Sequence, residues 1–261
     1  MSSSKTALVT GASSGIGAVY ARRLAERGYD LVLVARRAER LAALAAELEQ
    51  AHSVSVRSLA ADLTAEAGIA SVEQVLRDES IELLVNNAGM GPGATTADMS
   101  DADAAATLVL NVTALMRLTR AALPGMRARK SGTVVNVGSV MAFFAMPQTS
   151  LYSATKAFVL TYSRGVANEA REDGVLVQAV LPAGTVTDFY ETAGMSIANF
   201  DPSVFMTAEQ LVDAALVGLD RGEEVTLPSV HDVALWESYD AARGQLFGGT
   251  QNGKPAPRYL A

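Results

Sequence analysis

Near its start the chain passes from the apolar run Thr6-Ala7-Leu8-Val9 into Thr10-Gly11-Ala12-Ser13-Ser14-Gly15-Ile16-Gly17. The first run is aliphatic and β-branched without polar interruption, which is the pattern of a strand buried on both faces. Beyond Gly15 the period changes, and Ile16, Val19, Tyr20 and Leu24 fall on one face of a helix. Strand, glycine turn and helix in that order aim free backbone N–H groups at a phosphate. Glycine is needed because a side chain would block both the approach of a pyrophosphate and the packing of helix on strand. The spacing Gly-x-x-x-Gly-x-Gly is a variant of the commoner dinucleotide spacing Gly-x-Gly-x-x-Gly, and by itself it also suits a turn that binds nothing.

The same alternation continues down the chain. Strands are expected at 31–35, 53–59, 81–85, 132–137, 174–181 and 225–227. Between them lie helices ending near 50, at 66–79, 100–129, 151–172 and 207–220, with a last one at 232–246. Pro124-Gly125 should break the long fourth helix near its end, and Thr207 reads as an N-cap with Glu209 and Gln210 in the first turn. Strands alternating with helices at this spacing predict an α/β fold, a doubly wound parallel sheet of about seven strands with right-handed crossovers. A length of 261 residues without a composition break suits a single domain. The last stretch, 247–261, mixes Gly and Pro with polar residues and reads as a loose arm.

Composition excludes several classes of function. The chain has no cysteine, which removes disulfides, thiolate metal sites and Cys nucleophiles together. His52 and His231 stand far apart, so no metal site is expected. A net charge of -7 argues against nucleic acid or an anionic membrane as partner. No apolar stretch of a secretory signal precedes the first strand, and no uninterrupted apolar run is long enough to span a membrane. The cytosol is the expected compartment.

The chemistry concentrates at Ser139 and Tyr152-Ser153-Ala154-Thr155-Lys156. Tyr152 and Lys156 are four apart at the start of a long helix and share one face. Ser139 closes a strand at its C-terminal end, where open α/β sheets bind ligands. A tyrosine of ordinary pKa, about 10, is a poor acid or base near neutrality. A neighbouring ammonium favours the phenolate and lowers that pKa, and a serine hydroxyl beside it can bond a carbonyl oxygen that gathers charge. A mid-helix Asn such as Asn111 can by itself simply face solvent.

With these residues in place the chain resembles the short-chain dehydrogenase/reductase family in its classical form, over residues 6–186 or so. That family has a Rossmann-type fold. Thr10-Gly11-x-x-x-Gly15-Ile16-Gly17 is similar to its cofactor turn, Asp62 to its adenine-contacting acid and Asn86-Asn87-Ala88-Gly89 to its sheet-stabilising motif. Asn111, Ser139, Tyr152 and Lys156 match its catalytic tetrad. The resemblance implies that Tyr152 exchanges the proton, that Lys156 also holds the nicotinamide ribose and that Ser139 orients the carbonyl. It further implies that Asn111 holds a water linking Lys156 to solvent. The cofactor would then lie against Gly11, Ser13, Ser14, Gly15, Ile16, Gly17, Asp62, Asn87, Ala88 and Gly89, besides Tyr152 and Lys156. The family's Pro-Gly after the sixth strand is here Pro182-Ala183-Gly184-Thr185-Val186-Thr187, one residue longer. Pro182, Thr185 and Thr187 are cofactor-side candidates there, and Thr187 can reach the carboxamide.

The expected activity is hydride transfer between a nicotinamide cofactor and a carbonyl or a secondary or primary alcohol. A non-catalytic dinucleotide-binding regulator of the same fold is the alternative, which an intact Ser/Tyr/Lys set disfavours. At the end of the second strand, where NAD-preferring folds carry an acid, the chain has Ala35 followed by Arg36 and Arg37. Arginine pairs with a phosphate, so NADP(H) is expected over NAD, with Arg36 on the 2′-phosphate because it follows the strand directly. The segment 188–206 carries Phe189, Tyr190, Met195, Phe200, Phe205 and Met206 but no Lys or Arg. With Phe143, Phe144 and Met146 it predicts a lid over a small, uncharged, mostly apolar substrate. His231 reads as a surface or capping residue. A homodimer or homotetramer is expected.

Overall fold

The computed structural model describes residues 5–194 and 196–260. Met195 of the expected lid and the residues before Lys5 therefore lie outside the description. The chain divides into two compact units, one up to Pro228 and one from Ser229 on.

In the first unit the strands are β1 (Thr6–Thr10), β2 (Asp30–Ala35), β3 (Val56–Ala60), β4 (Ile81–Asn86), β5 (Gly132–Val137) and β6 (Val175–Val180). Two short strands follow, β7 (Gly184–Thr185) and β8 (Phe205–Met206), and then β9 (Val225–Thr226). The main sheet has seven strands in the order β3-β2-β1-β4-β5-β6-β9, all paired in parallel. The order reverses direction between β1 and β4, so a crevice opens at the C-terminal ends of those two strands.

The helices are α1 (Gly15–Glu26), α2 (Ala38–Ala51), α3 (Glu66–Asp78), α4 (Asp101–Leu108), α5 (Leu115–Arg129), α6 (Ser150–Ala170), α7 (Phe189–Thr192) and α8 (Ala208–Asp220). The uninterrupted apolar strands are explained by two cores, one on each face of the sheet. Along β1, Ala7 and Val9 join α1, α2 and α8 on one face, while Leu8 joins α3, α5 and α6 on the other. Between the layers a buried polar chain ties β4 to β5: Asn86 donates to Thr119 Oγ1 at 3.0 Å and to Asn136 Oδ1 at 2.9 Å, and Asn136 donates to Ser163 Oγ at 2.9 Å.

Most element boundaries match the sequence pattern, and Thr207 forms a full capping box with Gln210. Two differ. The helix does not break at Pro124 but continues to Arg129. The carbonyl that loses its donor there belongs to Arg120, an exposed residue whose backbone water can serve. The segment 188–206 is less irregular than its composition suggests, because it holds α7, two short 3-10 turns and β8, which pairs with β7. The stretch from Asp101 to Arg129 is apolar and long enough to cross a membrane by composition, yet its buried residues serve the core.

The second unit, from Ser229 on, holds α9 (Val233–Gly249), capped by Asp232 accepting from the Ala234 N–H at 3.0 Å, and a short turn at Pro257–Tyr259. The helix extends three residues past the expected end at Leu246.

One core residue is out of keeping with its setting. Tyr20 is 0% exposed among aliphatic side chains, and its hydroxyl has no hydrogen-bond partner among the described residues. Burial pushes its phenol well above the ordinary range. Removing an unpaired buried hydroxyl relieves a desolvation cost, so Tyr20→Phe should raise the unfolding free energy by about 1–2 kcal/mol. Urea denaturation checks this, and a lower midpoint for the variant would show that the hydroxyl is bonded in the native protein.

Candidate active site

Three segments meet at the crevice. The first is the glycine turn between β1 and α1. Gly11 and Gly15 adopt positive φ, 67° and 54°, which side-chain-bearing residues rarely do. A Cβ on Gly17 would stand 2.3 Å from the Gly11 carbonyl oxygen, so the turn closes only around glycine. At the start of α1, Ser14 makes no side-chain cap and no acidic residue stands in the first turn. The leading N–H groups of that helix are thus left facing outward for an anion. A pyrophosphate fits this donor set.

The second segment is the end of β4. Thr10 Oγ1 accepts from the N–H groups of Asn87 at 2.9 Å and Ala88 at 3.1 Å, and Asn87 Nδ2 returns a bond to the Thr10 carbonyl at 2.9 Å. These bonds lock the Asn87-Ala88-Gly89 turn onto the glycine turn. Asp62 lies further out, its carboxylate held low by the backbone N–H and hydroxyl of Thr64 and, to a lesser degree, by the Arg36 charge.

The third segment carries the titratable groups. Ser139 follows β5 and is buried; its Oγ accepts from the Met141 N–H at 3.1 Å and donates to the Pro182 carbonyl at 3.4 Å. Thr185 is buried in β7, and Thr187 reaches back to the glycine turn, its methyl 3.0 Å from where a Gly15 Cβ would be. On the first turns of α6, Lys156 Nζ sits 5.6 Å from the Tyr152 ring centre and donates to the Val137 carbonyl at 3.0 Å. The Tyr152 ring is partly covered by Phe189, with centroids 5.6 Å apart, and Gly91 is pressed so close that a Cβ would lie 2.6 Å from Tyr152 Cδ2.

Asn111 does not face solvent. A π-helical turn, Val109–Ala114, interrupts the helix between α4 and α5 and turns the side chain inward, where it is 2% exposed. Asn111 Nδ2 donates to the Met90 carbonyl at 2.7 Å and to Thr155 Oγ1 at 3.0 Å, while Oδ1 accepts from the Met90 N–H at 2.9 Å. A Cβ on Gly89 would stand 3.4 Å from Asn111 Oδ1 and 3.5 Å from Lys156 Nζ, so both border the same small space.

The electrostatics of the pair differ from the expectation that Lys156 lowers the Tyr152 pKa. Burial pushes the Tyr152 phenol up to about 12, the nearby Ser139 hydroxyl opposing it. Burial also brings the Lys156 ammonium down to about 8. Burial therefore shifts each group towards its neutral form.

Of the two arginines after β2, Arg37 is the one held at the glycine turn. Its Nη2 donates to Ser13 Oγ at 3.0 Å and to Ser14 Oγ at 2.8 Å, so its guanidinium lies across the mouth of the glycine turn. Phe189, expected in the lid, does cover the site, whereas Thr155 and Gly91 join it without having been singled out by the sequence pattern. The local signal available was Thr155 falling on the turn of α6 that carries Tyr152 and Lys156. Among the described residues no group of three or more metal-ligating side chains comes together.

Comparison with known proteins agrees with this geometry. The profile of the short chain dehydrogenase family matches residues 5–196. A solved short-chain dehydrogenase from Sphingobium yanoikuyae, in complex with NADPH, is 46% identical, with a TM-score of 0.94 over 98% of this chain and 100% of that one. The bulky-bulky ketone specific alcohol dehydrogenase from Comamonas testosteroni is 41% identical, with a TM-score of 0.90 over 98% of this chain and 99% of that one. Very-long-chain 3-oxoacyl-CoA reductase-A of Danio rerio is 34% identical over 209 residues, 78% of this chain and 66% of that protein's length. The chain belongs to the short-chain dehydrogenase/reductase family and is an NAD(P)-dependent oxidoreductase by membership.

Proposed function

We propose that this protein is an NADPH-dependent reductase of uncharged, mostly apolar ketones, able to run in reverse on the matching alcohols. The observation that carries the reading is the convergence of Ser139, Tyr152 and Lys156 under an aromatic wall, with the Phe189 ring 5.6 Å from that of Tyr152. Phe189, Tyr190, Phe200 and Phe205 continue that wall as an edge-to-face cluster with centroids 5.3–6.0 Å apart. The relatives that match essentially the whole chain include one specific for bulky ketones. A coenzyme A thioester, the chemistry in the name of the shorter match, carries several phosphate charges, and 188–206 has no Lys or Arg to receive them.

The nicotinamide cofactor, once bound, supplies the hydride. Tyr152, held protonated by burial, gives its proton to the carbonyl oxygen as that oxygen gathers charge. Ser139 donates a hydrogen bond to the same oxygen. Lys156, whose ammonium burial brings down to about 8, stands beside the phenolate left behind and stabilises it when charged. Asn111 fixes the Met90 backbone and keeps one lone pair of Oδ1 for a water bordering Lys156. Support for NADPH comes from the carboxylate-free end of β2 at Ala35, from Arg37 across the glycine turn, and from the NADPH-bound relative. We further read the protein as a cytosolic homo-oligomer, its long apolar helix being engaged in the core.

A panel of ketones graded by apolar bulk, assayed by NADPH oxidation at 340 nm alongside 2-oxo acids and 3-oxoacyl-CoA thioesters, tests the substrate class. Catalytic efficiency should rise with apolar bulk and be at least about tenfold lower for the charged compounds. A best substrate carrying a carboxylate or phosphate would overturn the reading.

A further inference from the structure

Three consecutive residues at the root of the segment over the site reach three different parts of it. Thr187 rests on the glycine turn at Gly15, and Phe189 covers Tyr152. Between them, Asp188 Oδ2 lies 3.4 Å from Arg40 Nη1 and 3.9 Å from Arg37 Nη1. Arg37 is the guanidinium that Ser13 and Ser14 hold across the turn. A carboxylate from the substrate side of the site thus sits on the cations of its cofactor side, 148 residues away in sequence from Arg40.

We infer that Asp188 occupies, with its own negative charge, the subsite that receives the 2′-phosphate of NADPH, and that the phosphate must displace it. The inference rests on the reading of Arg37 as the phosphate-side arginine. Two guanidinium groups cannot serve a carboxylate and a dianionic phosphate at full strength together. The phosphate carries more charge and more acceptor oxygens, and it can pair bidentately with arginine. Once it arrives, Asp188 is left facing a like charge and is driven off. Because Asp188 leads directly into α7, its release frees the residues that bear on Tyr152. A cofactor without the 2′-phosphate leaves the contact in place. The two pairs are about half exposed, so the latch is weak enough for a ligand to open.

The contact therefore makes Asp188 a determinant of cofactor choice, acting by competition. It lowers affinity for phosphorylated cofactor and couples loading of that cofactor to the loop over the substrate pocket.

Adenosine 2′,5′-bisphosphate and 5′-AMP isolate this subsite, since neither carries a nicotinamide to touch the loop. By calorimetry, Asp188→Asn should tighten adenosine 2′,5′-bisphosphate about 3- to 10-fold and leave 5′-AMP within about twofold. Asp188→Glu, which keeps the charge, should bind like the unmodified protein. In hydrogen exchange the bisphosphate should speed exchange at 188–194 in the unmodified protein, 5′-AMP should not, and in Asp188→Asn that segment should exchange fast without ligand. Unchanged or weaker bisphosphate binding by Asp188→Asn, with Arg37→Met still weakening it, would overturn the latch and leave the cofactor reading standing. Equal affinity of the unmodified protein for the two nucleotides would remove the cofactor reading and the latch together.

Discussion

Tyr152→Phe should lower turnover on an accepted ketone by at least about 10²-fold, with the NADPH dissociation constant changed by no more than about twofold. The substitution keeps the ring that packs under Phe189 and against Gly91, so the shape of the site is retained. It removes the one phenol proton at the meeting point of Ser139 and Lys156. Ser139 can still donate a hydrogen bond to the carbonyl oxygen, but an aliphatic hydroxyl is a far weaker acid than a phenol. Stopped-flow single turnovers separate the chemical step from product release. A variant with near-normal turnover would remove Tyr152 from the reaction.

The second large effect concerns the cofactor. Arg37→Met should weaken NADPH about 10- to 100-fold and leave NADH within a fewfold, because a charge-assisted bond to the 2′-phosphate contributes roughly 1.5–3 kcal/mol. Arg36→Met should cost less, since Arg36 lies towards Asp62 while Arg37 bonds the glycine-turn serines. Ala35→Asp combined with Arg37→Leu should turn the preference to NADH, by supplying an acceptor for the ribose hydroxyls and removing the phosphate's partner. Fluorescence titration of both cofactors checks all three. Equal losses of NADPH and NADH on Arg37→Met would mean that the residue shapes the turn without reading the phosphate.

Much of this site was legible because local rules dominate where it is built. The change of period at Gly15 announced a strand, a turn and a helix, and each of those residues took up the role its stereochemistry allowed. Tyr152 and Lys156 were legible for the same reason, being four apart on the first turns of α6. Asn111 was legible only through the family resemblance, because the π turn that holds it carries no sequence period. The strands β7 and β8 are two residues each, too short for any alternation to show. Arg36 and Arg37 are adjacent, and which of them reaches Ser13 depends on how α2 starts, with Arg37 at its N-cap. Asp188 meets its arginines only through the fold. The sequence shows the neighbouring charge of Lys156 but hides the burial that pushes the Tyr152 phenol up.

The most direct measurement follows the hydrogen itself. The protein is run with an uncharged bulky ketone and NADPH deuterated at nicotinamide C4, on the face whose label it transfers, and the product alcohol is examined by mass spectrometry and NMR. One deuterium on the carbinol carbon and one alcohol formed for each NADPH consumed are expected. Alcohol without label, or tight NADPH binding with no ketone reduced across the panel, would contradict the proposed reduction and leave a dinucleotide-binding protein without this chemistry.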